Sequence, residues 1–338
     1  MSENQTERKK LLSVRNLRKY FPLKKTSIFS REQLFNRAND DISLDIYEGE
    51  TVGLVGESGC GKTTTGRAIL RLTEPTSGQI IFNGRDICTL SKRELKKARR
   101  DMQLVFQDPY SSLDPRKTVS QIIAEPIKAN KLIKGKEQID ERVNSLMQTV
   151  GLAPRLFNTY PHELDGGRRQ RVGIARALAM EPHFIVCDEP VSALDVSIQA
   201  QILNLLKTLQ AEMGLTFIFI THDLSVVNHF SDDIAVMYLG KIVEMAPSEE
   251  LFSNPRHPYT QALLSAIPVP DLSAKRERII IKGEIVSPID PPDECRFYKR
   301  CSYACDACRK TPQLEEVCPG HFVACNRLEE LGNLNTVK

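Results

Sequence analysis

The sequence predicts an α/β fold, and three features lead to that prediction. Short apolar and β-branched runs alternate with longer segments of helical periodicity, as in strands joined by helices. A glycine-rich stretch lies at one strand-to-helix corner, and acidic residues end a later apolar run. The composition is that of a globular protein, with 41% hydrophobic and 26% charged residues among 338. This length suits two domains, or one large domain with an appendage.

Strands are predicted where a short apolar or alternating run lies between turn residues. Residues 42–47 (ISLDIY) alternate with period two, as in a half-buried strand. Residues 51–55 (TVGLV) are apolar or β-branched, as in a buried one. In chain order the predicted strands are 11–21, 42–47, 51–55, 79–82, 102–106, 184–187 and 216–220. Residues 31–39 are predicted as a polar loop, and residues 234–243 complete the core.

Helices are predicted where the pattern changes to helical periodicity. They are predicted at 64–71, about 122–131, 138–150, 196–213, and between 247 and 265. A further helix is predicted to open within residues 162–170 and to run to about residue 180. The basic run 92–100 (KRELKKARR) is predicted as the solvent-facing side of a helix, because a net charge of +3 is too small to argue for nucleic acid. Residues 108–115 (DPYSSLDP) are predicted as a proline-rich turn.

Residues 56–63 (GESGCGKT) fit G-x-x-x-x-G-K-[ST], the pattern of the phosphate-binding P-loop. They lie where strand 51–55 gives way to helix 64–71, so free backbone N–H groups and the helix dipole favour an anion there. Glycines are needed because a side chain would stop the backbone from closing on the phosphates. By resemblance to such loops, Lys62 is expected to reach the β- and γ-phosphates, and Thr63 to bind Mg²⁺ through its hydroxyl.

Three features of the sequence indicate where in the cell the protein is expected. Residues 1–10 are polar and charged with no apolar run behind them, so no secretory signal is predicted. The most apolar segment, 215–220 (LTFIFI), is too short to cross a bilayer, so a membrane role is expected to need a partner. Nine cysteines without an export signal indicate a reducing cytosol and no disulfides.

Six motifs in a fixed order together resemble those of an ABC transporter ATPase. They are the P-loop at 56–63, Gln107, the signature at 164–168 (LDGGR), Walker B at 184–189 (FIVCDE), the D-loop at 192–195 (SALD) and the switch histidine His222. The sequence around these motifs, such as residues 105–116 (VFQDPYSSLDPR), resembles the oligopeptide/dipeptide importer family, and the resemblance extends from about residue 11 to 325.

That resemblance implies a fold and a domain organisation. The fold is a P-loop (RecA-like) ABC ATPase core with an antiparallel β subdomain and an inserted helical subdomain at about 108–180. The implied domains are a nucleotide-binding domain at 1–265 and a Cys-rich C-terminal extension at 266–338.

The resemblance also implies roles for individual residues. Glu189 is the implied general base, His222 contacts the γ-phosphate, and Gln107 and Lys62 complete the catalytic set. The implied ATP-binding residues are Tyr20, Gly56, Glu57, Ser58, Gly59, Cys60, Gly61, Lys62, Thr63, Thr64, Gln107 and Asp188. Mg²⁺ is implied at Thr63, Gln107 and Asp188, and the D-loop comprises Ser192, Ala193, Leu194 and Asp195. Tyr20 matches the family's adenine-stacking aromatic, with Phe21 as a rival.

The signature departs from the family's usual Leu-Ser-Gly-Gly-Gln, because it reads Leu164, Asp165, Gly166, Gly167 and Arg168. In such ATPases two subunits enclose ATP head to tail, and the signature faces the partner's γ-phosphate. A carboxylate about 4 Å from a phosphate charge costs on the order of 4 kcal/mol at an effective dielectric near 20. Arg168 could neutralise it across one helical turn, and Asp165 is also a good helix N-cap. We expect a weakened ATP site and therefore a heterodimer with a paralogue.

Six of the nine cysteines lie between residues 295 and 325. Cys295, Cys301, Cys308 and Cys325 are spaced C-x5-C-x6-C-x16-C, similar to the cysteine cluster of the same family. Four thiolates suit a [4Fe–4S] cluster, which we favour, or a Cys₄ zinc site. Cys305 could replace one ligand, Cys318 is a further spare, and unligated cysteines in a packed tail are the alternative. Any cluster is expected to be structural or redox-sensing, because ATP hydrolysis needs no electron.

The sequence therefore predicts the ATP-hydrolysing subunit of an importer for oligopeptides or dipeptides, peripheral on the cytoplasmic face of the cell membrane. The implied partners are a second ABC ATPase subunit, two transmembrane permease subunits and an extracytoplasmic solute-binding protein, with no nucleic acid. Two other classes stay open. One is a soluble ABC ATPase acting on nucleic acid, which a single P-loop and signature disfavour, and the other is an ATPase of iron–sulfur assembly.

Overall fold

The computed structural model describes residues 9–23, 33–267, 278–284, 286–328 and 330. The strands are β1 (Lys10–Pro22), β2 (Phe35–Tyr47), β3 (Thr51–Val55), β4 (Ser77–Phe82), β5 (Arg85–Asp86), β6 (Met102–Val105), β7 (Phe184–Asp188), β8 (Thr216–Thr221), β9 (Asp233–Tyr238), β10 (Lys241–Pro247), β11 (Glu315–Cys318) and β12 (His321–Val323). The α-helices are α1 (Lys62–Ile69), α2 (Lys92–Asp101), α3 (Pro109–Ser112), α4 (Val119–Asn130), α5 (Lys136–Thr149), α6 (Gly166–Leu178), α7 (Val196–Met213), α8 (Leu224–Phe230), α9 (Ser248–Ser253) and α10 (Pro258–Ser265).

The chain divides into two compact units. The glycine-loop unit comprises Lys10–Ile46, Thr51–Cys88 and the described residues from Thr221 onward. The helical unit comprises Lys9, Tyr47–Glu50 and Thr89–Ile220. The C-terminal extension therefore belongs to the same unit as the P-loop.

Two groups of strands build the glycine-loop unit. One is a sheet in the order β2-β1-β4-β5, in which β1 and β4 run antiparallel with Val14 opposite Ile80. The other follows the order β11-β12-β10-β9-β3. There β3 runs parallel to β9, while β9, β10, β12 and β11 pair antiparallel in turn. Every residue of β3 is buried, which fixes the strand that leads into the P-loop.

The helical unit carries three parallel strands, β6, β7 and β8. All residues of β7 and β8 are buried, as expected for parallel strands. Four helices of this unit begin with side-chain caps: Ser91 and Thr118 form capping boxes at α2 and α4, Asp108 caps α3 and Asp165 caps α6. Strand β7 ends at Asp188, directly before Glu189.

All seven predicted strands are present, but two loop predictions are wrong in part. Strand β2 already begins at Phe35, so residues 35–39 are not a loop. Their polar side chains misled the prediction, because β2 lies at the edge of its sheet, where polar residues are tolerated. In the proline-rich turn, Asp108 accepts hydrogen bonds from the N–H groups of Tyr110 and Ser111 and starts the single-turn helix α3.

The basic run 92–100 lies in α2 as predicted, with Leu95 as its buried residue. The tail contains an element that the sequence did not indicate, the hairpin β11–β12. Its strand β12 pairs with β10, and buried His321 Nε2 lies 2.8 Å from buried Glu244 Oε1. No helix within the described residues is both long and apolar enough to cross a bilayer.

Candidate nucleotide site and cysteine cavity

The P-loop has the backbone that its glycines predict. Gly56 has φ +150° and Gly61 has φ +107°, conformations that side chains disfavour. A Cβ on Gly56 would lie 2.2 Å from the carbonyl oxygen of Met237, and one on Gly61 would lie 2.1 Å from that of Ala38. Both positions therefore require glycine.

Lys62 opens helix α1 and is buried. Its Nζ donates to the carbonyl oxygens of Gly56 at 2.8 Å and Glu57 at 3.0 Å. Gly61 is the N-cap of α1 and provides no side-chain hydrogen bond, and the first turn contains no acidic residue. An anion at this corner would meet the uncapped N–H groups of the helix, and it would be a stronger acceptor for Lys62 than two neutral carbonyls.

Tyr20 is fixed through its hydroxyl, which donates to Asp40 Oδ1 at 2.5 Å. Burial, followed by this bond to a carboxylate, raises the pKa of Tyr20 to about 12. The guanidinium of Arg37 lies 5.4 Å from the centre of the Tyr20 ring. By contrast, Phe21 is 39% exposed and has the ammonium of Lys19 over its ring. Of the two rivals, Tyr20 is the one held by a buried carboxylate.

Asp40 is the buried acceptor of this arrangement. Its second oxygen, Oδ2, accepts from Arg296 Nη2 at 2.5 Å. Burial alone would raise the pKa of Asp40, but the hydrogen bond from Tyr20 and the charges of Lys241 and Arg296 outweigh it, so the pKa lies below its usual value. Asp40 is therefore a carboxylate that binds Tyr20 on one side and Arg296 on the other.

The helical unit carries the two acidic residues at the end of β7. Asp188 is 1% exposed. Glu189 has φ +45°, an uncommon backbone conformation for a residue other than glycine, and its N–H donates to the carbonyl of Ile220 at 2.9 Å. Gln107 Nε2 donates to Glu189 Oε2 at 2.9 Å. The structure thus brings Gln107 and Glu189 together.

The signature residues also lie in the helical unit, at the start of α6. Asp165 Oδ1 accepts from the N–H of Arg168 at 2.7 Å, and Arg168 Nε lies 3.4 Å from Asp165 Oδ2. The N-cap and the charge pair expected from the sequence are both present. A Cβ on Gly167 would lie 2.6 Å from Ile198 Cγ2, so α6 packs closely on α7, which directly follows the D-loop.

The four cysteines singled out by their spacing, Cys295, Cys301, Cys308 and Cys325, line one cavity in the glycine-loop unit. Phe297, Tyr298, His257 and Pro258 also line it. Burial, followed for Cys295 by the neighbouring cysteine charges, raises the pKa of these thiols, to about 12 for Cys295. Four cysteines that line one cavity are the residue set that holds an iron–sulfur cluster or a Cys₄ zinc site.

The two spare cysteines differ in their position. Cys305 Sγ is 4.0 Å from Cys308 Sγ, and Cys305 is not among the described residues that line the cavity. Cys318 belongs to a separate group with Glu250 and His321, whose ligand atoms lie within 4.8 Å of one another.

The remaining motif residues divide between the units. Thr63 and His222 belong to the glycine-loop unit with Lys62, while the D-loop belongs to the helical unit. Sequence reasoning missed Asp40, Arg296 and Arg300, because nothing local marks a contact across 256 positions, such as that between Asp40 and Arg296.

The fold, together with the P-loop at residues 56–63, defines an ATP-binding cassette. Residues 39–192 match the ABC transporter family model. The chain is also similar to a solved dimer of the ATP-binding cassette MJ0796 bound to ADP and phosphate, with TM-score 0.62 and 31% identity over 70% of this chain and 99% of that one. CbiO1 from Clostridium perfringens gives TM-score 0.62 and 29% identity over 73% of this chain and 92% of that one.

Residues 243–308 match a second model, the C-terminal region of oligopeptide/dipeptide transporters. The oligopeptide transport ATP-binding protein AppF of Bacillus subtilis is 51% identical over 94% of this chain and 97% of its own length. The corresponding figures are 50%, 95% and 97% for OppF of the same organism, and 54%, 94% and 98% for a putative peptide import ATP-binding protein of Brucella ovis. The chain belongs to the ABC transporter ATP-binding subunits of the oligopeptide/dipeptide importer family.

Proposed function

We propose that this chain hydrolyses ATP to drive uptake of oligopeptides or dipeptides through two transmembrane permease subunits. It would act with a second ABC ATPase subunit and an extracytoplasmic solute-binding protein, peripherally on the cytoplasmic face of the membrane. The proposed domains are the nucleotide-binding domain at 1–265, with its helical subdomain at about 108–180, and the extension at 266–338. The main observation behind the proposal is the geometry of the P-loop. Lys62 donates to two backbone carbonyls there, beside the start of α1, which has no side-chain cap.

The proposed chemistry assigns binding to one unit and hydrolysis mainly to the other. Tyr20 would stack on adenine, residues 56–64 would surround the phosphates, and Lys62 would neutralise their charge. Thr63, Gln107 and Asp188 have the oxygen donors that Mg²⁺ prefers. Glu189 would take a proton from the attacking water, held in place by its hydrogen bond from Gln107. His222 would hydrogen-bond the γ-phosphate.

Two substitutions test this assignment in the reconstituted transporter. Lys62→Ala should abolish Mg·ATP binding at this chain's own P-loop and peptide uptake, whereas Glu189→Gln should keep that binding and lose hydrolysis at the same site. Glu181→Gln is the matched control, because Glu181 is an exposed carboxylate of the same unit paired with Arg142. Uptake that continues undiminished in the Lys62 variant would contradict the proposal.

We further propose that the chain pairs with a paralogue and not with a second copy. The supporting observation is the local pair of Asp165 with Arg168, both about half exposed. Water screens an exposed ion pair, so such a pair contributes little free energy. Arg168 therefore offsets the negative charge of Asp165 only in part. This chain's signature would therefore serve a weakened ATP site, while Lys62 and Glu189 would work with the partner's signature.

For the cysteine cavity we propose a [4Fe–4S] cluster, with zinc as the alternative. The supporting observation is that four cysteines line one cavity, because four thiolates are the donor set of such a cluster. Anaerobic purification followed by visible absorbance and by iron, sulfide and zinc analysis tests it. A colourless, metal-free protein would leave only cysteines packed as thiols.

A further inference from the structure

The segment from Cys295 to Cys301 (CRFYKRC) begins and ends with a cysteine of the cavity, and an arginine stands beside each one. It folds tightly: the N–H of Tyr298 donates to the carbonyl of Cys295 at 2.9 Å, and that of Arg300 to the carbonyl of Phe297 at 2.9 Å. The two arginines are therefore anchored within one residue of the proposed ligands Cys295 and Cys301. We name this stretch the cysteine segment.

Arg300 contacts the P-loop directly. Its Nη1 donates to Glu57 Oε2 at 2.9 Å and its Nη2 to Glu57 Oε1 at 3.3 Å, a bidentate contact. Glu57 is also held through its backbone, since its N–H donates to Tyr259 Oη at 3.0 Å. Lys62 Nζ in turn donates to the carbonyl of Glu57. Arg300 thus fixes the residue whose carbonyl the phosphate-binding lysine uses.

Arg296 contacts the carboxylate that holds Tyr20, the ring proposed to stack on adenine. Its contact with Asp40 is buried on both sides, with side chains 5% and 9% exposed. Because the other oxygen of Asp40 accepts from the Tyr20 hydroxyl, the guanidinium of Arg296 sets the position of that ring through one carboxylate.

The centre of the segment is fixed by aromatic packing. Phe297 is 3% exposed and meets Tyr238 at a centroid distance of 5.2 Å and Tyr259 at 5.4 Å. Tyr238 also accepts from Arg300 Nη1 at 3.2 Å. A change at the cysteine cavity would therefore move a segment that is tied to the P-loop by packing as well as by charge.

We infer that Arg296 and Arg300 are positioning residues for the nucleotide, Arg296 on the adenine side and Arg300 on the phosphate side, and that the occupied cysteine cavity holds both in place. This inference rests on the proposed ATP site and the proposed metal or cluster. ATP affinity therefore depends on whether the cysteines hold the metal or cluster, although no cysteine of the cavity needs to touch ATP.

Substitutions of the two arginines should change ligand binding in different ways. This difference distinguishes a positioning role from a general loss of structure. Arg300→Gln should raise the Kd for both Mg·ATP and inorganic tripolyphosphate about tenfold, because it frees Glu57 and leaves its charge near the phosphates. Arg296→Gln should raise the Kd for Mg·ATP by a similar factor and leave that for tripolyphosphate unchanged, because only the ring is released. Calorimetric titration of the full chain, purified anaerobically, measures both.

Three further variants sharpen the comparison. Lys299→Gln is the matched control, since Lys299 is exposed and its substitution removes one positive charge from the same segment. Arg300→Lys keeps the charge without the bidentate contact, so positioning predicts a partial loss and a pure charge effect predicts none. Tyr20→Phe releases the ring from Asp40 without altering the buried arginine, and should reproduce the Arg296→Gln pattern even if that variant folds poorly.

The metal dependence is tested by repeating the titrations after chelation. Removing the metal should weaken Mg·ATP binding about tenfold in the wild type and have no further effect in the Arg296→Gln/Arg300→Gln double variant. If the wild type binds Mg·ATP and holds metal while both arginine variants bind like Lys299→Gln, the inference is overturned and the proposed function stands. If chelation leaves wild-type affinity unchanged, or the purified protein holds no metal, the coupling to the cavity is overturned. A wild type that binds no Mg·ATP would instead remove the proposed function itself.

Discussion

At the residue scale, Gln107 and Glu189 meet in the helical unit although 82 positions separate them. The amide of Gln107 holds Oε2 of Glu189 by a hydrogen bond of 2.9 Å. Glu189 also has a backbone conformation in the left-handed region, which side chains adopt at a cost and which often accompanies a functional role. The carboxylate is therefore oriented both by its own backbone and by a neighbour.

Replacing Gln107 with alanine should separate orientation from binding. We expect ATP turnover to fall roughly tenfold to a hundredfold, because Glu189, the proposed general base, would lose its alignment with the attacking water. The Kd for Mg·ATP should change much less, since Lys62 and the P-loop are untouched. Steady-state ATPase assays and nucleotide titration of the same preparation measure the two effects. An equal loss in both would mean that Gln107 acts mainly as an Mg²⁺ ligand.

His257 offers a pH-dependent prediction at the same scale. It is 2% exposed, its Nδ1 accepts the N–H of Tyr259 at 3.1 Å, and burial lowers its pKa to about 4. The unfolded chain takes up this proton near pH 6.5 and the folded chain only near pH 4. The free energy of unfolding should therefore fall as the pH drops through that window, by about 1.4 kcal/mol per pH unit.

His257→Asn removes the titration and keeps an N-cap for α10. Urea unfolding between pH 4 and 6.5 should then show a shallower pH slope than the wild type, while the slope above pH 6.5 stays the same. Parallel slopes for the two proteins across the window would show that His257 is not responsible.

At the element scale, the strands and helices were predictable because each leaves a local pattern, as the buried run of β3 and the capped start of α6 demonstrate. Strand β2 was predicted too short because polar residues at a sheet edge resemble a loop. The pairs Arg300–Glu57 and Arg296–Asp40 could not be predicted, because charged residues are common and the partners are 243 and 256 positions apart. The motifs were thus readable from the sequence, and the contacts that join them to the extension were not.

Two glycines of α6 make a matched pair for a test at this scale. A Cβ on Gly167 would lie 2.6 Å from Ile198 Cγ2, whereas a Cβ on Gly173 meets nothing within 4 Å. Gly167→Ala should therefore push the start of α6 away from α7 and displace the signature. Gly173→Ala should only stabilise the helix, by roughly 0.5–1 kcal/mol.

In the reconstituted transporter, Gly167→Ala should lower ATP turnover about tenfold or more, because the displaced signature no longer matches the partner's ATP. Mg·ATP binding to the isolated chain should stay at the wild-type level. Gly173→Ala should keep wild-type turnover and show a raised Tm. Wild-type turnover in Gly167→Ala would show that Ile198 moves aside without disturbing the signature.

At the scale of the whole molecule, the described part of the extension belongs to the same compact unit as the P-loop. Strand β12 continues the sheet beside β10, and Asp290 accepts from both the N–H of Phe35 and the guanidinium of Arg37. Together with Arg296 and Arg300, these contacts tie the tail to residues proposed to bind ATP. The extension thus supports the part of the cassette that contains the P-loop.

The altered signature leads to a prediction for the assembled transporter. If Asp165 and Arg168 weaken one of two ATP sites, then Asp165→Ser together with Arg168→Gln should restore that site and raise ATP turnover, with Mg·ATP affinity at Lys62 unchanged. The matched control is Asp114→Ser with Arg116→Gln, which alters another acid–base pair of the helical unit, with Arg116 exposed and Asp114 partly buried. Because the two sites share one dimer, Lys62→Ala should remove turnover from the unaltered site and leave the restored one measurable. An ATPase rate that is the same with either signature would rule out unequal sites, and with them the reason for pairing with a paralogue.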